Sequence, residues 1–247
     1  MLKLHLTFFL ILLFFFPHIS YSRNFLPEND LWKEDYFMKS RTGQLLFNRI
    51  IEIAYDIYKP IAEEFGDDNL SIYGWWENST VNANSNRFYE KVIVNMYGGL
   101  FRRPEITLEG FALVLCHELS HAYGGYPYIM VWNNISAEGQ ADYAATNKCL
   151  PKILAQMELE GYEMLPSSFM TNICEDQELC ERSLIGGQSV GNLFATIYDI
   201  DNPDYETPDP YITPKTYMSY PKTIQCRLDT FLNGTLHLRR PACWFKD

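Results

Sequence analysis

Leu115-Cys116-His117-Glu118-Leu119-Ser120-His121-Ala122-Tyr123-Gly124-Gly125 is the stretch on which the reading of this chain turns. Thr107 upstream offers a side-chain oxygen to cap a helix, and Phe111, Val114 and Leu115 give that helix an apolar face. The Gly124-Gly125 pair then ends it, so a helix is predicted from Thr107 to about Tyr123. Residues four apart on a helix share a face, which stacks His117 nearly above His121. Two imidazoles so placed can bind one Zn²⁺, and Glu118, one step round, stands beside the metal and not on it. From there its carboxylate can take a proton from a water that the metal has acidified. The chain has five histidines; two fall within the first 22 residues, and two of the other three form this pair with the Glu in the required place.

A catalytic zinc needs a third protein ligand and an open fourth position. A histidine six residues beyond His121 would supply it in the metzincin pattern, but that position is Pro127, which excludes the subclass. Glu138-Gly139-Gln140-Ala141-Asp142 is the better source, because Glu138 follows His121 after sixteen residues, room for a loop and a returning helix. Glu138 can ligate the metal, and Asp142, on the same helical face, can accept the N–H of the first histidine and fix its tautomer. Ala141-Asp142-Tyr143-Ala144-Ala145 is too small and apolar to read as a solvated acidic face.

His-Glu-x-x-His followed by Glu-x-x-x-Asp on the next helix resembles the gluzincin metallopeptidases, the thermolysin-like group. The resemblance covers about residues 107–149. It implies an α+β, zincin-like fold: a small mixed sheet over the active-site helix, with a mainly helical C-terminal lobe. It implies a zinc-dependent peptidase with His117, His121 and Glu138 as metal ligands, Glu118 as general base and Asp142 behind the histidine. Gluzincins also add a Tyr or His that donates to the oxyanion. Tyr198, Tyr205, Tyr211, Tyr217, Tyr220 and His237 are open to that role; Tyr220 is favoured because it precedes Pro221 and so has an extended backbone. Arg227 would brace the site through hydrogen bonds. The strand expected over Phe88–Asn95 stands where zincins place the edge strand that pairs with an extended peptide, and it reads equally well as an internal strand. A zincin scaffold that no longer cuts, a secreted binding protein with a structural zinc, is the alternative; the intact Glu118 speaks against it.

The rest of the chain sets the context. Lys3, the apolar run Leu6–Phe16 and the small residues Ser20 and Ser22 read as a signal peptide over residues 1–22, cleaved after Ser22. The catalytic domain is expected at 23–247, an upper lobe over 23–125 and a lower lobe over 126–247, in a secreted or periplasmic protein. No later stretch is long and apolar enough to span a membrane. A formal charge of −11 argues against nucleic acid or an anionic membrane as partner and leaves a peptide or protein substrate. All six cysteines lie beyond the signal segment, and an even count there suggests disulfides. Cys174–Cys180 and Cys226–Cys243 would close short loops and leave Cys116 to Cys149, one of fifteen possible pairings. Helical spacing is expected over Gln44–Phe65, a short strand at Ile72–Trp76, and a polar loop over Asn78–Asn86. Gly98-Gly99 and Pro104 mark a turn. Ser136 would cap a helix over Ala137–Cys149 that Pro151 stops. Residues 152–200 read as mostly helical, and 203–221, with five prolines, as an extended surface segment. The stretch from Thr223 reads as short and Cys-bearing.

Overall fold

A computed structural model of the chain describes residues 21–34, 40–67, 69–131, 134–157 and 165–246. All but the last two residues of the expected signal peptide lie outside the described residues. The fold is α+β. Strand β1 (Tyr21–Asn24) leads to helix α1 (Arg41–Glu64), whose first turn is capped by Ser40 Oγ accepting from Gly43 N–H. α1 falls on the helix that the spacing over Gln44–Phe65 predicts, and it buries Phe47, Ile50, Ile53, Ala54 and Tyr58 while leaving Leu45 exposed.

β2 (Asn69–Trp75), β3 (Ala83–Phe88) and β4 (Lys91–Tyr97) join β1 in one mixed sheet of order β1-β3-β4-β2. β2 runs parallel to β4, with Asn69 opposite Lys91 and Trp75 opposite Tyr97; β3 is antiparallel to β4 and to β1. Two expectations are corrected here. Residues 83–86 are strand, not loop, and Phe88–Asn95 is not one strand: Phe88 ends β3, Tyr89 turns at φ 52° and Lys91 starts β4. The polar residues that look like a loop are a cross-strand amide pair, with Asn95 Nδ2 donating to Asn84 Oδ1 at 2.9 Å. β3 and β4 are therefore both interior to the sheet, and β1 and β2 are its edge strands.

Gly98 and Gly99 open the short helix α2 (Gly98–Phe101) instead of a turn. α3 (Leu108–Tyr123) follows its predicted span, capped by Thr107 Oγ1 accepting from Gly110 N–H, and every one of its residues is buried. It lies between the sheet, through β3 and β4, and a helical layer. Gly125, at φ 90°, makes the turn out of it. A short β-ladder, β5 (Tyr128–Met130) with β6 (Ile135–Ser136), then returns the chain.

α4 (Glu138–Ala144) starts after Ala137, so Ser136 is not its cap: Ser136 sits in β6 and its hydroxyl donates to Gly125 O at 2.7 Å. α4 widens into a π-helical stretch, Ala145–Cys149, and runs on into α5 (Leu150–Leu154). Pro151 does not stop it, because it occupies the first turn of α5, where a missing N–H costs nothing. α6 (Ser168–Cys174), α7 (Glu178–Tyr198) and α8 (Ile224–Thr235) complete the helical layer. Residues 203–221 carry no regular element. α8 is the element the sequence reading missed, although its buried Ile224, Leu228 and Phe231 follow a helical spacing and Thr223 caps it.

All three expected disulfides are present: Cys116–Cys149, Cys174–Cys180 and Cys226–Cys243. Three such bonds suit an oxidising compartment, extracellular or periplasmic. The first ties α3 to the end of the π-helical stretch, one residue before His117, and the third ties α8 to the C-terminal segment that carries buried Trp244.

Candidate metal centre

α3 and α4 face each other across the buried centre of the fold, and each brings its polar residues to the same point. His117 Nε2 and His121 Nε2 are 3.0 Å apart, with the rings edge to face. Glu138 Oε2, from the first turn of α4, is 3.4 Å from the first and 3.6 Å from the second. Gly139 makes this approach possible. A Cβ there would come within 2.4 Å of the Trp244 ring, which packs flat against α4.

The outer nitrogens are spoken for. His117 Nδ1 is 2.7 Å from Asp142 Oδ1, and His121 Nδ1 is 3.0 Å from the carbonyl oxygen of Ser136. Since Ser136 O can only accept, His121 Nδ1 must carry the proton, and Asp142 as a carboxylate requires the same of His117. With its Nδ1 proton so placed, each ring in its neutral form turns an Nε2 lone pair inward, towards the other ring and towards a carboxylate oxygen. Such a concentration of electron pairs needs a cation, either a proton or a metal ion. Arg227, from α8, closes the outer side: Nε donates to Asp142 Oδ2 at 2.8 Å and Nη2 to Oδ1 at 2.6 Å, the two-pronged arrangement that fixes a carboxylate best.

Electrostatics follow from this geometry. Burial pulls His117 down, but the charge and hydrogen bond of Asp142, with Glu138 behind them, raise it to about 9. Burial dominates at His121 and lowers it to about 4. Burial also pushes Glu138 up, and is overcome by the charges of His121, His117 and Arg227, which hold its carboxyl well below the usual range. Asp142 is likewise lowered: burial acts upward, and Arg227 and His117 outweigh it.

Glu118 differs from its neighbours. It is fully buried, and among the described residues neither carboxylate oxygen has a hydrogen-bond partner of good geometry; the Ser85 side chain of β3 faces it. Burial lifts its carboxyl to about 7, against the downward pull of His117 and Ser85.

Tyr220, the favoured oxyanion donor, lies against Arg227. Its ring stacks under the Arg227 guanidinium, 5.7 Å from the centroid, and its hydroxyl donates to the carbonyl oxygen of Asn24. Tyr205 is committed elsewhere, to Leu184 O, and His237 lies against Asn147 at the far end of α8. Phe25 was not foreseen: its ring is 1% exposed and meets His117 edge-on at 4.8 Å. No isolated residue in the sequence announces that contact, since it depends on the β1–β3 pairing. Trp75 and Tyr126 are exposed, while Trp76 packs in the core against Phe47 and Phe101. No family model, no curated protein and no solved structure matches this chain.

Proposed function

We propose that this chain is an exported zinc peptidase of the gluzincin type, with a zincin-like arrangement of sheet and ligand helices. The observation that carries the reading is the convergence of His117, His121 and Glu138, whose ligand atoms all lie within 4.8 Å of one another, beside the buried Glu118 carboxylate, which has no hydrogen-bond partner among the described residues. The donor set, two neutral imidazoles and a carboxylate, suits zinc, and each histidine is backed by an acceptor as metal-ligating histidines usually are. Zinc, when bound, supplies a Lewis acid that acidifies water and polarises a carbonyl oxygen.

The chain's own residues do the rest. Asp142 and Ser136 O hold the two imidazoles in the tautomer that leaves Nε2 free to ligate. Arg227 keeps Asp142 in place and balances its charge. Glu118 accepts a proton from the attacking water at its carboxylate and passes it to the leaving nitrogen, a task that suits a carboxyl raised towards neutral pH. The Tyr220 hydroxyl donates a hydrogen bond to the carbonyl oxygen as negative charge develops there. β3 runs beside the site, and an extended peptide would pair with it in the position that β1 fills.

The test is zinc content after exhaustive dialysis, followed by cleavage of an unstructured protein such as casein. The expected result is one zinc per chain, lost in Glu138→Ala, and turnover that disappears in Glu118→Gln. A chain that retains no zinc overturns the reading. Retained zinc with turnover indifferent to Glu118→Gln removes the peptidase and leaves a zinc-holding binding protein.

A further inference from the structure

The outer edge of β3 is already taken. β1 pairs with it antiparallel, Tyr21 opposite Arg87, Arg23 opposite Ser85 and Asn24 opposite Asn84, and Phe25 N–H extends the ladder to Ala83 O at 2.9 Å. Ser85 is the residue that faces Glu118, so this segment pairs with the stretch of β3 that faces the general base. The next carbonyl along, that of Asn24, accepts from the Tyr220 hydroxyl. The following side chain, Phe25, is sunk among His117, Phe194 at 5.5 Å and the Arg227 guanidinium at 4.7 Å. Leu26 is clamped through its backbone, N–H to Asn82 Oδ1 at 2.9 Å and C=O from Asn82 Nδ2 at 3.0 Å.

Each of these contacts is one that the proposed reaction requires of a bound peptide: strand pairing, a carbonyl on the oxyanion donor, and a side chain in a pocket beside the metal. Meanwhile His117 and Glu118 are wholly buried, and the space beside His121, lined by Ser85, Arg87 and Ile135, is about 10 Å³. That admits about one water and no substrate. Beyond Phe25 the groove opens into a cavity of about 490 Å³ lined by Pro27, Phe194, Ile200, Tyr220 and Arg227.

We propose that residues 23–26, the part of this segment that stays after the expected signal cleavage, are a tethered pseudo-substrate. The segment occupies the strand position of a peptide substrate, places its Asn24–Phe25 bond where the bond to be cut would lie, and keeps the site latent until it swings out. This rests on the peptidase reading above. It also names the substrate class: a peptide with a large apolar or aromatic residue on the amine side of the cleaved bond, because that residue replaces Phe25 between His117, Phe194 and Arg227. The expected signal cleavage after Ser22 leaves Arg23–Leu26 in place, so export alone does not open the site. If the segment is withdrawn in about one molecule in a hundred, the apparent affinity for peptide is about a hundredfold weaker than that of the open form.

The experiment uses the zinc-loaded full chain in three forms: wild type, Phe25→Ala, which empties the pocket, and Asn82→Ala, which releases the Leu26 clamp without touching the site. Two readouts are taken, each on protein shown by near-ultraviolet circular dichroism to be folded. One is turnover of a quenched peptide with Phe on the amine side of its central bond. The other is fluorescence anisotropy of a labelled peptide with the sequence of residues 21–28. Asn82→Ala and Phe25→Ala are expected to cleave at least tenfold faster than wild type. Both are expected to bind the labelled peptide at least tenfold more tightly, and neither to bind its Phe25→Ser version. If the peptidase reading alone fails, no form cleaves, but the variants still bind the peptide and wild type does not. Equal peptide binding by wild type and both folded variants overturns the pseudo-substrate, whatever the turnover.

Discussion

The two sides of the candidate metal centre are built differently. On the side of α4 and α8, the elements that carry the ligands are cross-braced: Asp142 by Arg227, α4 by the ring of Trp244, α8 by Cys226–Cys243, and α3 by Cys116–Cys149. On the side of β3, Glu118 has no hydrogen-bond partner among the described residues, and the strand that faces it is flanked by the N-terminal segment β1. The contrast separates what must stay fixed from what must change. Ligands lose affinity if they shift, so they are cross-braced. A general base must exchange protons with water and substrate, so its surroundings have to open.

The largest effects should come from the open side. Glu118→Gln should lower turnover about 10²–10⁴-fold, the usual worth of a positioned general base, while zinc content stays at one per chain. The same change should not destabilise the fold, because it removes a buried charge with no partner. A thermal melt reads this, and a fall in melting temperature would mean that Glu118 is held by something the contrast overlooks. Tyr220→Phe should lower kcat about 10²–10³-fold with KM and zinc little changed; an unaltered kcat would remove Tyr220 from the oxyanion.

Next come the ligands on the braced side. Glu138→Ala removes a ligand atom outright and should reduce zinc affinity more than Asp142→Ala, whose loss is worth about 10–100-fold. Competition with a chelator ranks the two. Asp142→Ala carries a second cost, since it leaves the buried Arg227 guanidinium without its carboxylate. It should therefore unfold more readily than Glu138→Ala even though it binds zinc better. A reversed order of either property would show that bracing and ligation are divided otherwise.

The sequence made the braced side legible and hid the open one, for a physical reason. His117, His121, Glu138 and Asp142 lie at helical spacings within two consecutive helices, so local periodicity places them together. Arg227 needed only a polar residue in a region joined by a disulfide. The β3 edge depends on a long-range pairing between residues 21–25 and 83–87, which no period records. β3 itself was disguised because its exposed face is held by Asn84 and Asn95 amides in place of β-branched side chains. α8 escaped for a related cause. Its inward face mixes Ile224, Leu228 and Phe231 with the buried polar residues Arg227, Asp229 and Thr230, which blurs an apolar stripe.

The disulfides offer a smaller effect with a spatial signature. Cys116–Cys149 closes a loop of 33 residues and Cys174–Cys180 one of 6. Loop-closure entropy puts the first at about 3–4 kcal/mol and the second at about 2 kcal/mol. Paired Ser substitutions should follow that order in chemical denaturation. Only Cys116→Ser with Cys149→Ser should also weaken zinc binding, because that bond joins the two ligand-bearing stretches. Equal zinc affinity in both double variants would mean that packing alone aligns α3 with α4.

The smallest effect tests whether α3 is a rigid rod that the site merely rides on. Thr107 caps it by accepting from Gly110 N–H at 3.0 Å, and Ser189 of α7 donates nothing to that hydroxyl but accepts from Thr107 N–H at 3.0 Å. Thr107→Ala therefore removes one capping bond and leaves the backbone contact to α7 intact. Loss of such a cap costs about 1 kcal/mol. Because every residue from Leu108 to Tyr123 is buried, fraying should stay within the first turn and stop short of His117, more than two turns further on. The expected outcome is a denaturation midpoint shifted by that amount, with zinc affinity and turnover unchanged. If zinc affinity falls as well, α3 transmits strain from its cap to its ligands, and the braced side is more loosely held than its hydrogen bonds imply.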